Sequence, residues 1–141
     1  MAKKWLQNRF NISFSRRNLR VGSKSCGKPA MHNFDLVSKD NQMIAEVKSH
    51  RLTNSGSISG KISDTYQACF MLEKVNAKKK LLILTDPKFY EIFKRYSEGK
   101  ISKEITVMLL RHNEDRKAVD LKTMATRNRL IETKKTDFDS F

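Results

Sequence analysis

The first 34 residues contain no aspartate or glutamate, although they hold eight Lys or Arg, and Asp35 is the first acid in the chain. Cysteine is scarce as well. Cys26 and Cys69 are too few for a disulfide framework and lack metal-ligand spacing, so both read as reduced thiols, Cys69 as a core residue. No run of 18 apolar residues occurs, which predicts no transmembrane helix. Met-Ala-Lys-Lys-Trp-Leu at the N-terminus turns quickly polar and basic, without the apolar stretch of a signal peptide. These absences argue against a secreted disulfide scaffold and an integral membrane protein. An intracellular location is expected, cytoplasmic or nucleoid-associated. No internal repeat is evident.

At 141 residues and 38% apolar content, the chain reads as one domain over 1–141 with a single core. Residues 1–32 form its basic N-terminal segment. The formal charge of +14 favours a polyanionic partner, because Lys and Arg that neutralise phosphates release condensed counterions. A highly charged surface, or a basic face for an acidic protein, is the plainer reading of the same excess.

The most informative stretch runs from Asn33 to Lys48. Asp40-Asn41 suits a two-residue hairpin loop, since both residue types tolerate positive φ. Cross-strand partners then have numbers summing to 81, which sets Asp35 opposite Glu46. Opposed side chains share a face with Cβ atoms roughly 5 Å apart, and Lys48 lies two residues further along it. Two carboxylates so placed repel unless a cation lies between them. The spacing therefore suggests a divalent-metal site with an adjacent ammonium.

Before the hairpin, Trp5, Leu6, Arg9 and Phe10 line one side of a short helix, while Phe10, Ile12 and Phe14 alternate as a strand does. A helix followed by one strand is expected. Arg16, Arg17, Arg20, Lys24 and Lys28, interleaved with Ser, Asn and Gly, read as an exposed, phosphate-seeking segment. Lys28-Pro29-Ala30 borders a strand. After the hairpin, Ser49 to Lys61 is rich in serine, glycine and asparagine and reads as a mobile loop, either binding substrate or merely connecting. Arg51 and Lys61 within it are further candidate contacts to a nucleic-acid backbone.

Asp64-Thr65-Tyr66-Gln67 fits a capping box, which predicts a buried helix starting at Asp64 and ending near Asn76. The apolar run Leu81–Thr85 reads as a strand covered on both faces. Asp86-Pro87 marks a helix start, Phe89, Ile92, Phe93 and Tyr96 follow the helical period, and Gly99 stops it. Ile105 to Leu110 reads as a strand, with a buried helix as the alternative. Leu121, Met124 and Ala125 suggest a last amphipathic helix, and residues 133–141 a frayed tail. Tyr66, Tyr90 and Tyr96 offer rings for base stacking, core packing being preferred for Tyr66 and Tyr96. The alternation of strands and helices predicts an α/β domain with a mixed central β-sheet flanked by helices, antiparallel at the hairpin.

Asp35, ten residues, then Glu46-Val47-Lys48 resembles the signature of the PD-(D/E)XK nuclease superfamily. In that family the signature lies on a β-hairpin followed by a helix and an apolar strand, as in residues 20–86 here. Phe34-Asp35-Leu36-Val37 and Ala45-Glu46-Val47-Lys48 match its apolar-bracketed strands, although Phe34 replaces the proline of the motif's name. The resemblance implies a restriction-endonuclease-like core and a metal-dependent nuclease acting on DNA, structured or branched, with RNA as an open alternative. Asp35 and Glu46 would be catalytic ligands of Mg2+ or Mn2+, joined by the Val47 carbonyl, and Lys48 would steady charge on the phosphate or help place the attacking hydroxide. Many members also carry a glutamate on the N-terminal helix. Here that ligand is absent, replaced by Asn8 or Asn11, or supplied by a partner subunit. Gln67 resembles a glutamine found in Holliday-junction-resolvase-like members, the capping box being its structural alternative. His50 continues the face of Glu46 and Lys48 as an accessory base or phosphate contact, or is incidental; His32, next to the site strand, is a candidate of the same standing, and His112 a weaker one. A homodimer follows from the family's habit of cutting two strands. The rival readings are a non-cleaving nucleic-acid-binding module of the same fold and a basic structural protein.

Overall fold

The structure is a computed structural model and describes residues 1–52 and 57–111. His112, the helix expected around 121–125, the tail at 133–141 and the loop residues 53–56 lie outside the described residues.

The elements run α1 (Ala2–Phe10), β1 (Phe14–Ser23), β2 (Pro29–Ser38), β3 (Met43–Lys48), α2 (Ile58–Lys74), β4 (Lys79–Leu84), α3 (Pro87–Ser97) and β5 (Ile105–Leu109). The strands form one five-stranded sheet in sequence order. β1, β2 and β3 make an antiparallel meander, whereas β4 pairs parallel to β3 and β5 parallel to β4. Helical crossovers α2 and α3 are what such parallel pairs require. The domain is α/β with a mixed sheet flanked by helices, as the alternation of elements predicts.

Two apolar clusters cover the two faces of the sheet. Ala2 and Leu6 of α1 pack over Leu36, Ala45, Leu81 and Ile83. On the other face Leu72 of α2 and Phe89 and Phe93 of α3 pack against Phe34, Ile44, Leu82 and Leu84. Leu81, Leu82, Ile83 and Leu84 are all fully buried, so β4 is the central strand its unbroken apolar run predicts.

The β2–β3 register is the predicted one: Leu36 pairs with Ala45 and Val37 with Ile44. The connection is longer than a two-residue loop, with β2 ending at Ser38 and β3 beginning at Met43. Asn41 adopts the positive φ of 61° expected of it, and its N–H donates to the Ser38 carbonyl. Asp40 instead accepts from the Ser38 hydroxyl and the Gln42 N–H, which hold its carboxyl below the usual range.

Other predicted boundaries moved. β1 takes in Arg16, Arg17 and Arg20, so the segment is a strand running into the Lys24–Lys28 turn; Arg16, Arg20 and the turn are exposed as expected, and Arg17 is half-buried. Helix α2 begins at Ile58 with Ser57 as its N-cap, the Ser57 hydroxyl accepting from Gly60 N–H. Asp64 is therefore inside the helix, there is no capping box there, and Lys61 is helical rather than part of a loop. The cap gains its bond from Ser57 even though the residues after it, Ser59 and Gly60, are weak helix formers. Asp86 does cap α3, accepting from Phe89 N–H at 3.0 Å, and Gly99 with φ 74° follows its end. Tyr96 is 55% exposed and is not core, while Tyr90 is buried in its place.

Candidate active site

A β-bulge shapes the site. Ser15 pairs with Val37 and Arg17 with Phe34, so β2 spends three residues where β1 spends two, and Asp35-Leu36 together face Arg16. The extra residue reverses the alternation. Phe34 joins the α2–α3 face and Leu36 the α1 face, although residues two apart in a regular strand share one. Bulges re-aim side chains, and the side chain re-aimed here is Asp35.

Asp35 and Glu46 are bonded to one another's strands. Val47 N–H donates to Asp35 Oδ2 at 2.9 Å, and Asp35 N–H donates to Glu46 Oε1 at 2.9 Å. Carboxylates thus complete the ladder one step beyond the Leu36–Ala45 pair. The other Asp35 oxygen, Oδ1, is held by Arg16 Nη2 at 3.1 Å. Glu46 is 4% exposed, and burial pushes its carboxyl above the usual range despite the Asp35 N–H bond; the nearby Asp35 charge pushes the same way, and His32 opposes it. His32 Nε2 stands 3.6 Å from Glu46 Oε2, too long for a hydrogen bond.

Glu46 aligns with Leu82 and Lys48 with Leu84 in the parallel ladder, which sets both on the α2–α3 face as their spacing predicts. Lys48 Nζ, however, pairs with Asp64 Oδ2 at 3.0 Å rather than with Glu46. His50 Nε2 meets the same oxygen at 2.8 Å, and its ring lies edge-on to Phe89. The Lys48 and His50 contacts hold the Asp64 carboxyl below its usual range. Two histidines and one acid thus surround the predicted trio: His32 beside Glu46, and His50 with Asp64 beside Lys48. Asp64 was legible only as a helix cap, because nothing local in the sequence reveals which strand a helical side chain will reach.

The remaining predicted residues divide. Gln67 is exposed on α2, three residues beyond Asp64 and outside any cap. Arg16 engages Asp35, Arg17 bonds Asn41, and Arg20 bonds Gly22 O and Ser23 of its own hairpin. Lys61 donates to the Arg51 carbonyl. Lys24 and Lys28 flank the exposed β1–β2 turn. Asn8 lies within α1 and Asn11 is its C-cap with φ 52°.

Among the described residues no group of three or more His, Cys, Asp or Glu converges as a ready cage for a metal ion. Mg2+ needs no such cage, since it is commonly held by one or two carboxylates, waters and substrate phosphates. The donor set fits this open kind of site: Asp35 and Glu46 present hard oxygens, Glu46 Oε2 makes no hydrogen bond among the described residues, and the buried His32 Nε2 facing it lacks a hydrogen-bond partner among them. Among the described residues no helix is long and apolar enough to cross a membrane. Compared with known proteins, the chain matches no family model, no curated protein and no solved structure.

Proposed function

We propose that this chain is a metal-dependent nuclease of the PD-(D/E)XK kind, hydrolysing phosphodiester bonds in DNA, with Asp35, Glu46 and Lys48 at its centre. The observation that carries the reading is the mutual bonding of Asp35 and Glu46 across β2 and β3, with Lys48 two residues on along the same face. The succession of a helix, three antiparallel strands, a helix and a parallel strand supports a restriction-endonuclease-like core.

Asp35 and Glu46 would hold the cation, and the Val47 carbonyl lies on the same stretch of β3. A bound Mg2+ or Mn2+ would supply a hydroxide-generating Lewis acid and neutralise charge on the phosphate. Asp35 is oriented from both sides, by Val47 N–H and by Arg16. Lys48 brings an ammonium that donates to a non-bridging phosphate oxygen, and Asp64 fixes where that ammonium sits. The β1 arginines and the basic β1–β2 turn provide backbone contacts for a nucleic-acid strand.

A second reading has its own support. Arg16 occupies one Asp35 oxygen and Asp64 occupies Lys48, an arrangement also suited to a module that binds nucleic acid without cutting it. Incubation with plasmid, single-stranded and junction DNA in Mg2+, Mn2+ or EDTA separates the two. Metal-dependent cleavage that falls about 100-fold or more in Asp35→Ala, Glu46→Ala and Lys48→Ala supports the nuclease. Salt-sensitive binding without cleavage of any substrate rejects it. Sedimentation in the same buffers tests the homodimer that double-strand cutting would call for.

A further inference from the structure

His32 carries the anomaly of this site. Its ring packs edge-on against buried Phe34, with centroids 4.6 Å apart, which fixes the imidazole on the face that Glu46 occupies. Its Nε2 is sealed from solvent and has no hydrogen-bond partner among the described residues. Buried polar atoms are nearly always satisfied, and an exception in a folded interior needs a cause such as an ion. The atom nearest to supplying one is Glu46 Oε2, 3.6 Å away. Glu46 Oε1 is occupied by Asp35 N–H, so the unused lone pairs of Oε2 are the ones that confront His32.

Two kinds of cation would reconcile these two atoms. A shared proton draws nitrogen and oxygen to about 2.7–3.2 Å. An ion bonded to each at about 2.0–2.2 Å holds them roughly 3.0–3.5 Å apart at octahedral to tetrahedral angles. The observed 3.6 Å exceeds both, so it is ligand chemistry that separates the two cations. The surroundings narrow the ion further. Residues 1–34 contain no acid, so any side-chain ligand from that part of the chain must be something other than a carboxylate. Imidazole nitrogen is a ligand suited to first-row transition ions, whereas Mg2+ prefers oxygen.

We propose that His32 Nε2 and Glu46 Oε2 are paired ligands of one first-row transition-metal ion, so that the site takes Mn2+ in preference to Mg2+. The inference rests on reading Asp35 and Glu46 as a metal site and adds a nitrogen ligand and a metal class to it. Asp35 would join these two ligands only by releasing an oxygen from Arg16 or from Val47 N–H, which hold both of its oxygens in the structure.

Binding of MnCl2 and MgCl2 to the whole protein by calorimetry, with pulsed EPR of the Mn2+ complex of protein carrying 15N-labelled histidine, tests this without reference to cleavage. Wild type should show a directly coordinated histidine nitrogen and bind Mn2+ at least about 10-fold more tightly than Mg2+. His32→Ala should lose the nitrogen coupling and weaken Mn2+ about 10-fold or more, while Mg2+ changes little. His32→Asp should retain an ion but reverse the preference towards Mg2+. Absence of nitrogen coupling in wild type overturns the proposal. So does unchanged Mn2+ affinity in a His32→Ala protein that circular dichroism shows to be folded. Nuclease activity with Mn2+ bound but no histidine coordination refutes this inference alone. Histidine-coordinated Mn2+ without cleavage of DNA refutes the nuclease reading alone.

Discussion

Replacing Glu46 by glutamine should make the ion-free protein more stable and remove its ability to be stabilised by a divalent cation. Glu46 is almost fully buried, and burial raises its carboxyl from the ordinary 4.5. The folded state therefore holds that proton more tightly than the unfolded chain does. Stability falls as pH rises from the unfolded value to the folded one, and above the folded value the whole penalty is present. Glutamine keeps an oxygen for Asp35 N–H, carries no charge, and brings an NH2 group that can satisfy His32 Nε2. A gain on the order of 1 kcal/mol is expected in EDTA at pH 8, as is usual when a functional buried charge is removed. That corresponds to about 3–4 °C in Tm for a domain of this size. The advantage should vanish below about pH 4, where the carboxyl is neutral in both states. At an ion concentration 100 times Kd, wild type should gain about 2.7 kcal/mol and the variant nothing, so the order of the two reverses. Calorimetric scans in EDTA and in MnCl2 measure both halves. A variant less stable than wild type in EDTA, and stabilised equally by the ion, would refute the reasoning and mark Glu46 as a structural residue.

Other consequences are simpler to read. Asp64→Asn removes a lowered carboxyl that stabilises the fold above its unfolded pKa of 3.8 and ceases to as pH falls through the folded value. With the Asp64 side chain 43% exposed, denaturation curves at pH 7 should shift by under ~1 kcal/mol and converge with wild type as pH falls below the unfolded value of 3.8. If Asp64 positions Lys48, cleavage should nevertheless drop about 10- to 100-fold with DNA affinity retained. Phe34→Ala empties a fully buried site next to the bulge and should cost about 3–5 kcal/mol in urea unfolding. A smaller loss would mean that the bulge relaxes into the cavity. In native protein at pH 8 a disulfide reagent should modify exposed Cys26 quickly and leave Cys69, whose thiol burial pushes to about 12, until the protein unfolds. Equal rates for both thiols would contradict the packing of α2.

How much of this was legible in the chain differs from element to element. The hairpin register was, because a polar turn with Asn41 at its centre and apolar residues on both sides leaves one pairing that buries Ile44 and Val37 together. The central place of β4 was, because only a strand covered on both faces accommodates four consecutive buried aliphatic residues. The start of α3 was, because Asp86-Pro87 acts through bonds and dihedrals within one turn. The start of α2 was not. Its cap lies in a serine- and glycine-rich stretch whose composition indicates a loop, and packing of Ile62 and Thr65 against the sheet outweighs that local preference.

The candidate site divides along the same line. The chain alone determined that Asp35 would stand beside Glu46 across the hairpin and that Lys48 would follow two residues along β3, since strand periodicity and one turn suffice for that placement; that Lys48 turns to Asp64 was not legible. Three things were decided only by the tertiary structure. The bulge opposite Arg16 arises from how β1 and β2 share their register, and it gives Asp35 its direction. Asp64 reaches Lys48 because α2 crosses the sheet beside β3, a contact spanning 16 residues of sequence. His32 Nε2 is buried with no hydrogen-bond partner among the described residues because its ring packs on Phe34 beside Glu46. Each depends on burial and on contacts between separate elements, and desolvation, the largest influence on Glu46, exists only once the chain is packed.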